Sequence, residues 1–172
     1  AVNAINSGSA KKVLVVASDC RTPPPDSDFE INFGDGAAAF LLGDSDAAVE
    51  VEGSYAVCSE FMDVWRRDSD EYVRTWEERF LWDEGYSKIL PQAVSGLMNK
   101  YNLKSKDFAK AVFNGPSPRR HRQIATKLGF DIKTQVADPL FATVGDTGAA
   151  FAPMMLVAAL EEAKPGDRIL YA

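Results

Sequence analysis

Apolar side chains recur along this chain in two rhythms. From residue 86 to 101, Tyr86, Ile89, Leu90, Ala93, Val94, Leu97, Met98 and Tyr101 fall at three- and four-residue steps. That is the period of one helix face, and it predicts an amphipathic helix that Pro91 must kink or restart. Other stretches are short apolar runs. Lys12 to Ala17 and Ala37 to Leu42 predict two fully buried strands, rich in Val, Leu and Ala. Residues 47–57 alternate, with Val49 and Val51 opposite Glu50 and Glu52, and predict a half-exposed strand. Between the first two runs, Pro23-Pro24-Pro25 removes backbone donors and makes 18–28 a loop. In 59–82 the aromatic spacing predicts an amphipathic helix broken near Asp68-Ser69-Asp70, with Met62, Trp65, Trp76, Phe80 and Trp82 as core or lid packing.

The last third alternates strand and helix. Phe108 to Phe113 predicts a strand, Ser117 to Leu128 a helix stopped by Gly129, and Ile132 to Val136 a short strand. A small-residue loop at 144–150 then leads into a helix over 151–163. Pro165-Gly166 stops it before a strand from Arg168 to Ala172. Such alternation implies a layered α/β fold, a mixed and mostly parallel sheet with helices on both faces. Ala1 to Asn6 has the pattern of the last turn of a helix, and both ends read as cut from something longer.

With 172 residues, 46% of them hydrophobic, the chain can bury a sizeable core. A formal charge of −6 argues against a nucleic-acid partner, which needs clustered cations in excess. Cys20 and Cys58 lack metal spacing and read as ordinary loop or buried thiols in a reducing compartment; no metal is expected. No run reaches the ~18 apolar residues of a membrane span, so the expected location is cytoplasmic. The lone histidine, His121, sits among Arg119, Arg120 and Arg122, which predicts a solvated helix face.

The loop Val144-Gly145-Asp146-Thr147-Gly148-Ala149-Ala150 carries the sharpest signal. Asp146 or Thr147 caps a helix start. Small residues there let another backbone approach, or leave N–H groups open to an oxyanion or carbonyl. A packed turn explains the spacing equally well. Taken with Phe33-Gly34-Asp35-Gly36-Ala37-Ala38-Ala39 and the exit Lys164-Pro165-Gly166-Asp167-Arg168, the chain resembles the thiolase superfamily. It is most similar to the branch holding hydroxymethylglutaryl-CoA synthases and initiating β-ketoacyl-ACP synthases; residues 55–82 match least.

The resemblance implies a partial thiolase-like fold, with residues 1–45 ending the N-terminal half and 46–172 forming most of the C-terminal half. The nucleophilic cysteine would lie on a helix outside this chain and a glycine-rich hairpin would follow it. Phe113-Asn114-Gly115-Pro116 matches the strand-to-helix junction where the family has its catalytic histidine, and Gly145-Asp146-Thr147 matches the Gly-Asn-Thr position. Asn114 and Asp146 are therefore the candidate catalytic residues, facing one pocket from adjacent strand tips. Asparagine donates a hydrogen bond but takes up no proton near pH 7. An ionised Asp146 would repel an oxyanion, so it is protonated, turned away as a cap, or a base. Thr147 and Gly148 are implied as oxyanion-side donors, and Arg119 and Arg120 as binders of CoA or carrier-protein phosphates. Nothing would be held covalently; a coenzyme A or phosphopantetheine thioester would be the substrate. The implied partners are acyl-CoA or acyl carrier protein, the remainder of the fold from the same gene or a partner subunit, and a second copy in a homodimer. The implied activity is thioester condensation or a retro-Claisen, aldol or acyl-transfer variant, absent from the isolated 172 residues. The alternative is a non-catalytic thiolase-fold subunit or scaffold.

Overall fold

β-Branched and apolar residues at 12–19 and 36–43 form strands β1 (Lys12–Asp19) and β2 (Gly36–Gly43) in a computed structural model that describes residues 1–172. A short helix α1 (Val2–Asn6) precedes them. The two strands pair antiparallel, from Lys12 opposite Gly43 to Asp19 opposite Gly36. Alternate residues therefore share a face. One face packs through β2 against helix α5 (Phe151–Glu162). The other is bare: Leu14, Val16 and Leu41 are 63%, 60% and 67% exposed. The expectation of two fully buried strands is thus corrected. These strands are apolar on both sides, yet this chain supplies a covering layer for only one.

Two further expectations give way to loops and hairpins. Residues 47–57 form no ladder. They cross the long helix instead, with the Tyr55 ring against Gly96 and Tyr101 accepting from the Ser54 amide at 3.0 Å. In 59–82 the aromatic steps belong to a hairpin, β3 (Val64–Trp65) antiparallel to β4 (Arg74–Thr75), with Trp65 and Trp76 rings 5.0 Å apart. Asp70 holds its turn by accepting from the Arg67 amide and from Arg74. Helix begins only at α2 (Glu78–Phe80), where the Glu77 carboxylate accepts from the amides of Arg79 and Phe80. A π-helical turn, Leu81–Tyr86, then runs into α3 (Ser87–Tyr101).

Pro91 lies inside α3 without ending it. It cannot donate to the carbonyl four residues back. That carbonyl, on Ser87, accepts from Lys127 Nζ at 2.6 Å. A side chain from helix α4 (Pro118–Lys127) thereby satisfies the acceptor that the proline orphans.

The core lies around strand β5 (Lys110–Val112), which pairs in parallel with β6 (Ile169–Tyr171). Val94, Phe108, Ala111, Phe113, Ile124 and Phe130 pack on the side of α3 and α4; Val112, Phe151, Met155 and Ala159 pack with α5. This is the layered α/β arrangement. Parallel pairing is confined to β5–β6 and two single bridges, Ala111 to Val136 and Phe33 to Asp146. The strand expected at 132–136 shrinks to that bridge, and Gln135 spends its amide on the Ser105 and Phe108 carbonyls, both at 2.8 Å.

The two glycine motifs are the two sides of one joint. Gly34 donates to the Asp146 carbonyl at 3.1 Å and Asp146 donates to the Asn32 carbonyl at 2.7 Å. A Cβ on Gly34 would overlap the Val144 carbonyl, and one on Gly36 would meet Thr147 and Met154. Gly148 has φ +56°, and a Cβ there would overlap the Asp19 carboxylate and Arg21. Gly34→Ala is expected to cost about 1–3 kcal/mol by overpacking. Urea unfolding reads this directly; an unchanged midpoint would mean that the joint is looser than described.

Candidate active site

The C-terminal tip of β5 runs through a short turn into the N-terminus of α4. The strand passes through buried Phe113 to Asn114, then Gly115-Pro116, and Ser117 caps α4 by accepting from the Arg120 amide at 3.3 Å. Asn114 Oδ1 accepts from the Gly115 amide at 2.6 Å. Because a backbone N–H only donates, this bond engages the amide oxygen and leaves Nδ2 as the remaining donor of a side chain that lines the groove. Asn114 is thus a fixed donor.

His121 supports this junction from below, which corrects the expectation of a solvated face. It is 1% exposed, its ring stacks on Phe113 with centroids 4.6 Å apart, and its Nε2 donates to the Phe113 carbonyl at 3.1 Å. Gly115 is small where His121 abuts it. Burial lowers the imidazole pKa to about 4, against the opposing pull of the Phe113 carbonyl. The signal was available: His121, Ile124, Ala125 and Leu128 share one helix face.

Asp146 stands across the joint. Its Oδ1 accepts from the Gly148 amide at 2.8 Å, an Asx-type cap, and its Oδ2 lies 3.6 Å from Arg21. Arg21 also binds Asp19 at 3.1 Å and lies over the Phe33 ring. Burial raises the Asp146 pKa, opposed by the Gly148 amide and Arg21. The expectation that Gly148 offers an open donor is corrected. The Gly148 amide is taken by Asp146 and the next amide, of Ala149, by Asp19 at 3.1 Å. Thr147 is buried, its hydroxyl donating to the Met154 sulfur at 3.5 Å.

The arginines part company. Arg120 lies 4.3 Å from the Trp82 ring and binds Glu78 and Gln123, so it is a packing residue. Arg119 is exposed and lines a shallow hollow with Arg122.

Two residues escaped the sequence reading. Tyr86, at the end of the π-helical turn, donates its hydroxyl to Asp63 Oδ2 at 3.1 Å. Both line a groove of about 510 Å³ with Asn114. Burial, then the charges of Asp63 and Asp146, hold the Tyr86 hydroxyl far above its ordinary pKa. The groove runs along α3 over Ile89, Leu90, Ala93 and Leu97, walled by Tyr55 and Tyr171. Because α3 leads back into β5, its Tyr86 end lies at the strand's C-terminal tip beside Asn114. Only a hairpin and a widened helical turn bring residues 63 and 86 together, which no spacing rule reports. The charge of Asp146 raises the Tyr86 pKa, and that of Asp63 raises the Asp146 pKa. Neither cysteine lines the groove; both are exposed, and Asp35 raises the Cys20 pKa through a hydrogen bond.

Residues 1–67 match the family model of 3-oxoacyl-[acyl-carrier-protein] synthase III. The hydroxymethylglutaryl-CoA synthase of Caldivirga maquilingensis is 34% identical over 166 residues, covering 96% of this chain and 47% of that protein. The same-named protein of Aeropyrum pernix is 35% identical over 172 residues, covering 99% and 47%. The chain spans about half the length of the curated relatives it matches. Among solved structures, 3-oxoacyl-(acyl carrier protein) synthase III from Pseudomonas aeruginosa superposes with TM-score 0.81 at 22% identity, covering 97% of this chain and 55% of that one. A hydroxymethylglutaryl-CoA synthase complexed with CoA gives 0.77 at 19% identity, covering 98% and 46%. The expected thiolase-like fold is the one observed.

Proposed function

From a partial thiolase-like chain, of the branch holding hydroxymethylglutaryl-CoA synthases and 3-oxoacyl-[acyl-carrier-protein] synthase III, we propose a contribution to an acyl-thioester condensing enzyme whose nucleophilic cysteine lies outside residues 1–172. In this reading residues 1–45 end one half of the fold and residues 46–172 form most of the other. The observation that carries it is Asn114: a half-buried side chain that lines the groove, its amide oxygen held by the Gly115 amide and its N–H donors left without a partner in the chain. Such a donor holds the oxygen of a thioester carbonyl as negative charge develops there. Asp146, held by Gly148 and Arg21, serves as cap and charge partner at the joint rather than as an oxyanion donor.

The substrate is a CoA or phosphopantetheine thioester, and Arg119 with Arg122, exposed side by side on α4, is the surface that suits its phosphates. The bare face of β1–β2 and most of the apolar groove are covered by the rest of the longer protein or a partner subunit, and the assembled enzyme is a homodimer. No helix is long and apolar enough to cross a membrane, and a cytoplasmic location fits this thioester chemistry.

Labelled acetyl-CoA tests the proposal. The full-length protein is expected to form a labelled thioester on a cysteine outside residues 1–172, and the isolated segment is expected to show no turnover. Label on Cys20 or Cys58, or condensation by the segment alone, contradicts it. A second reading, a non-catalytic scaffold, is favoured by Asn114 where the family has a histidine and by the engaged amides of Gly148 and Ala149. It is the reading left if the full-length protein forms no labelled thioester.

A further inference from the structure

Condensing chemistry with Asn114 at the junction lacks a group there that takes up a proton. Asparagine donates only. Asp146 has one oxygen on the Gly148 amide and the other toward Arg21. His121 is buried with its Nε2 committed to the Phe113 carbonyl. Asp63 is the carboxylic acid that shares the groove wall with Asn114, and Tyr86 is the groove hydroxyl bonded to it.

Their geometry is that of a relay. Tyr86 leaves a π-helical turn, a distortion that re-aims side chains and recurs at functional sites. Its hydroxyl hydrogen goes to Asp63 Oδ2 at 3.1 Å, which leaves the oxygen lone pairs available to accept. Asp63 is fixed: its Oδ1 takes the Val64 amide at 2.6 Å, and its carbonyl takes the Thr75 hydroxyl at 2.9 Å. The charged groups acting on Tyr86 from other elements are Asp63, Asp146 and Arg21, the last shared with Asp19. The tyrosine stays protonated among these carboxylates, so Asp63 is the member that receives the proton.

We propose that Tyr86 and Asp63 form a proton relay beside Asn114, in which the Tyr86 oxygen accepts a proton from the α-carbon of the bound acyl thioester as its own proton passes to Asp63 Oδ2. The C–H electron pair becomes the C=C bond of the enolate, and the carbonyl π pair moves onto the thioester oxygen, where Asn114 Nδ2–H holds the charge. Tyr86 ends as it began and Asp63 ends neutral. Attack of the enolate carbon on an acyl group, or its reprotonation, completes the turnover, and solvent recovers the proton from Asp63. This inference rests on the condensing-enzyme reading above.

The experiment follows deuterium entering the methyl group of acetyl-CoA in D2O, by mass spectrometry across pH, on the full-length protein, with acetyl-CoA binding measured separately. Tyr86→Phe and Asp63→Asn are each expected to slow exchange about 100-fold or more, the usual scale of general acid–base loss, while the dissociation constant stays within about threefold. Loss of exchange at retained acetyl-CoA binding separates this role from a merely structural one, which would weaken binding as well. Thermal unfolding of Tyr86→Phe, which keeps the ring, checks that the fold persists. Exchange in Tyr86→Phe or in Asp63→Asn within threefold of the unmodified protein overturns the relay alone. An unmodified protein that binds acetyl-CoA without exchange also overturns it. One that binds none removes the condensing-enzyme reading as well.

Discussion

Acidification from pH 7 to pH 4 is expected to remove about 3 kcal/mol of folding stability through His121 alone, at ~1.36 kcal/mol per pKa unit. The imidazole is neutral when buried, with a pKa of about 4 against the ordinary 6.5. The unfolded chain therefore binds the proton first. The contribution is complete above the unfolded value, declines as pH falls below it, and has gone by about pH 4. Asp146 works the other way, because its raised pKa makes the folded chain the better proton binder as pH falls. The difference between the unmodified chain and His121→Gln isolates the histidine, since glutamine retains a donor for the Phe113 carbonyl and does not titrate. Urea unfolding at pH 7, 5.5 and 4 should give converging midpoints for the two proteins as pH falls. Parallel lines would show that His121 is protonated without unfolding and that its burial is not as described.

Asn114→Asp is expected to lower turnover of the full-length protein by about 10²–10³-fold, the loss typical of one oxyanion donor. The substitution is isosteric. Aspartate still accepts from the Gly115 amide, so the turn that Asn114 closes is retained. What it lacks is the N–H pair facing the groove, and it adds a charge where negative charge develops. Asn114→Ala removes both the donor and the turn bond. Its rate loss should match that of Asn114→Asp within a few-fold, with added destabilisation of about 1 kcal/mol for the lost hydrogen bond. The check is kcat beside thermal unfolding for the two variants. A large rate loss in alanine with little in aspartate would make Asn114 a structural turn residue.

How legible the site was depends on whether each residue's neighbours lie close in the chain. Asn114 and Asp146 stand out in the sequence as candidates because each sits in a local motif, a strand end before a capped helix and a glycine turn before another. His121 was misplaced because its arginine neighbours, Arg119, Arg120 and Arg122, drew attention from the apolar face it shares with Ile124 and Ala125. The turn at 146–149 reads as a row of open donors because spacing does not show that Asp146 folds back on the Gly148 amide, nor that Asp19, from the end of β1, takes the Ala149 amide. Residues 59–82 were read as helix because aromatic residues four apart fit a helical face, whereas Trp65 and Trp76 meet across a hairpin.

The sequence alone determined the placement of α3, α4, α5 and β5, because periodicity, Ser117, Gly129 and Pro165-Gly166 act over a few residues. The likeness to the thiolase-like fold was also legible there, in the glycine motifs at 34–36 and 145–148, whose glycines meet at a joint with no room for a Cβ. Tertiary structure decided which amides were already occupied, that the histidine is buried, and that Asp63 meets Tyr86. Those are contacts between residues 8 to 130 positions apart. Their energies depend on burial and on which charge lies within a few ångströms, and neither is set until the layers close.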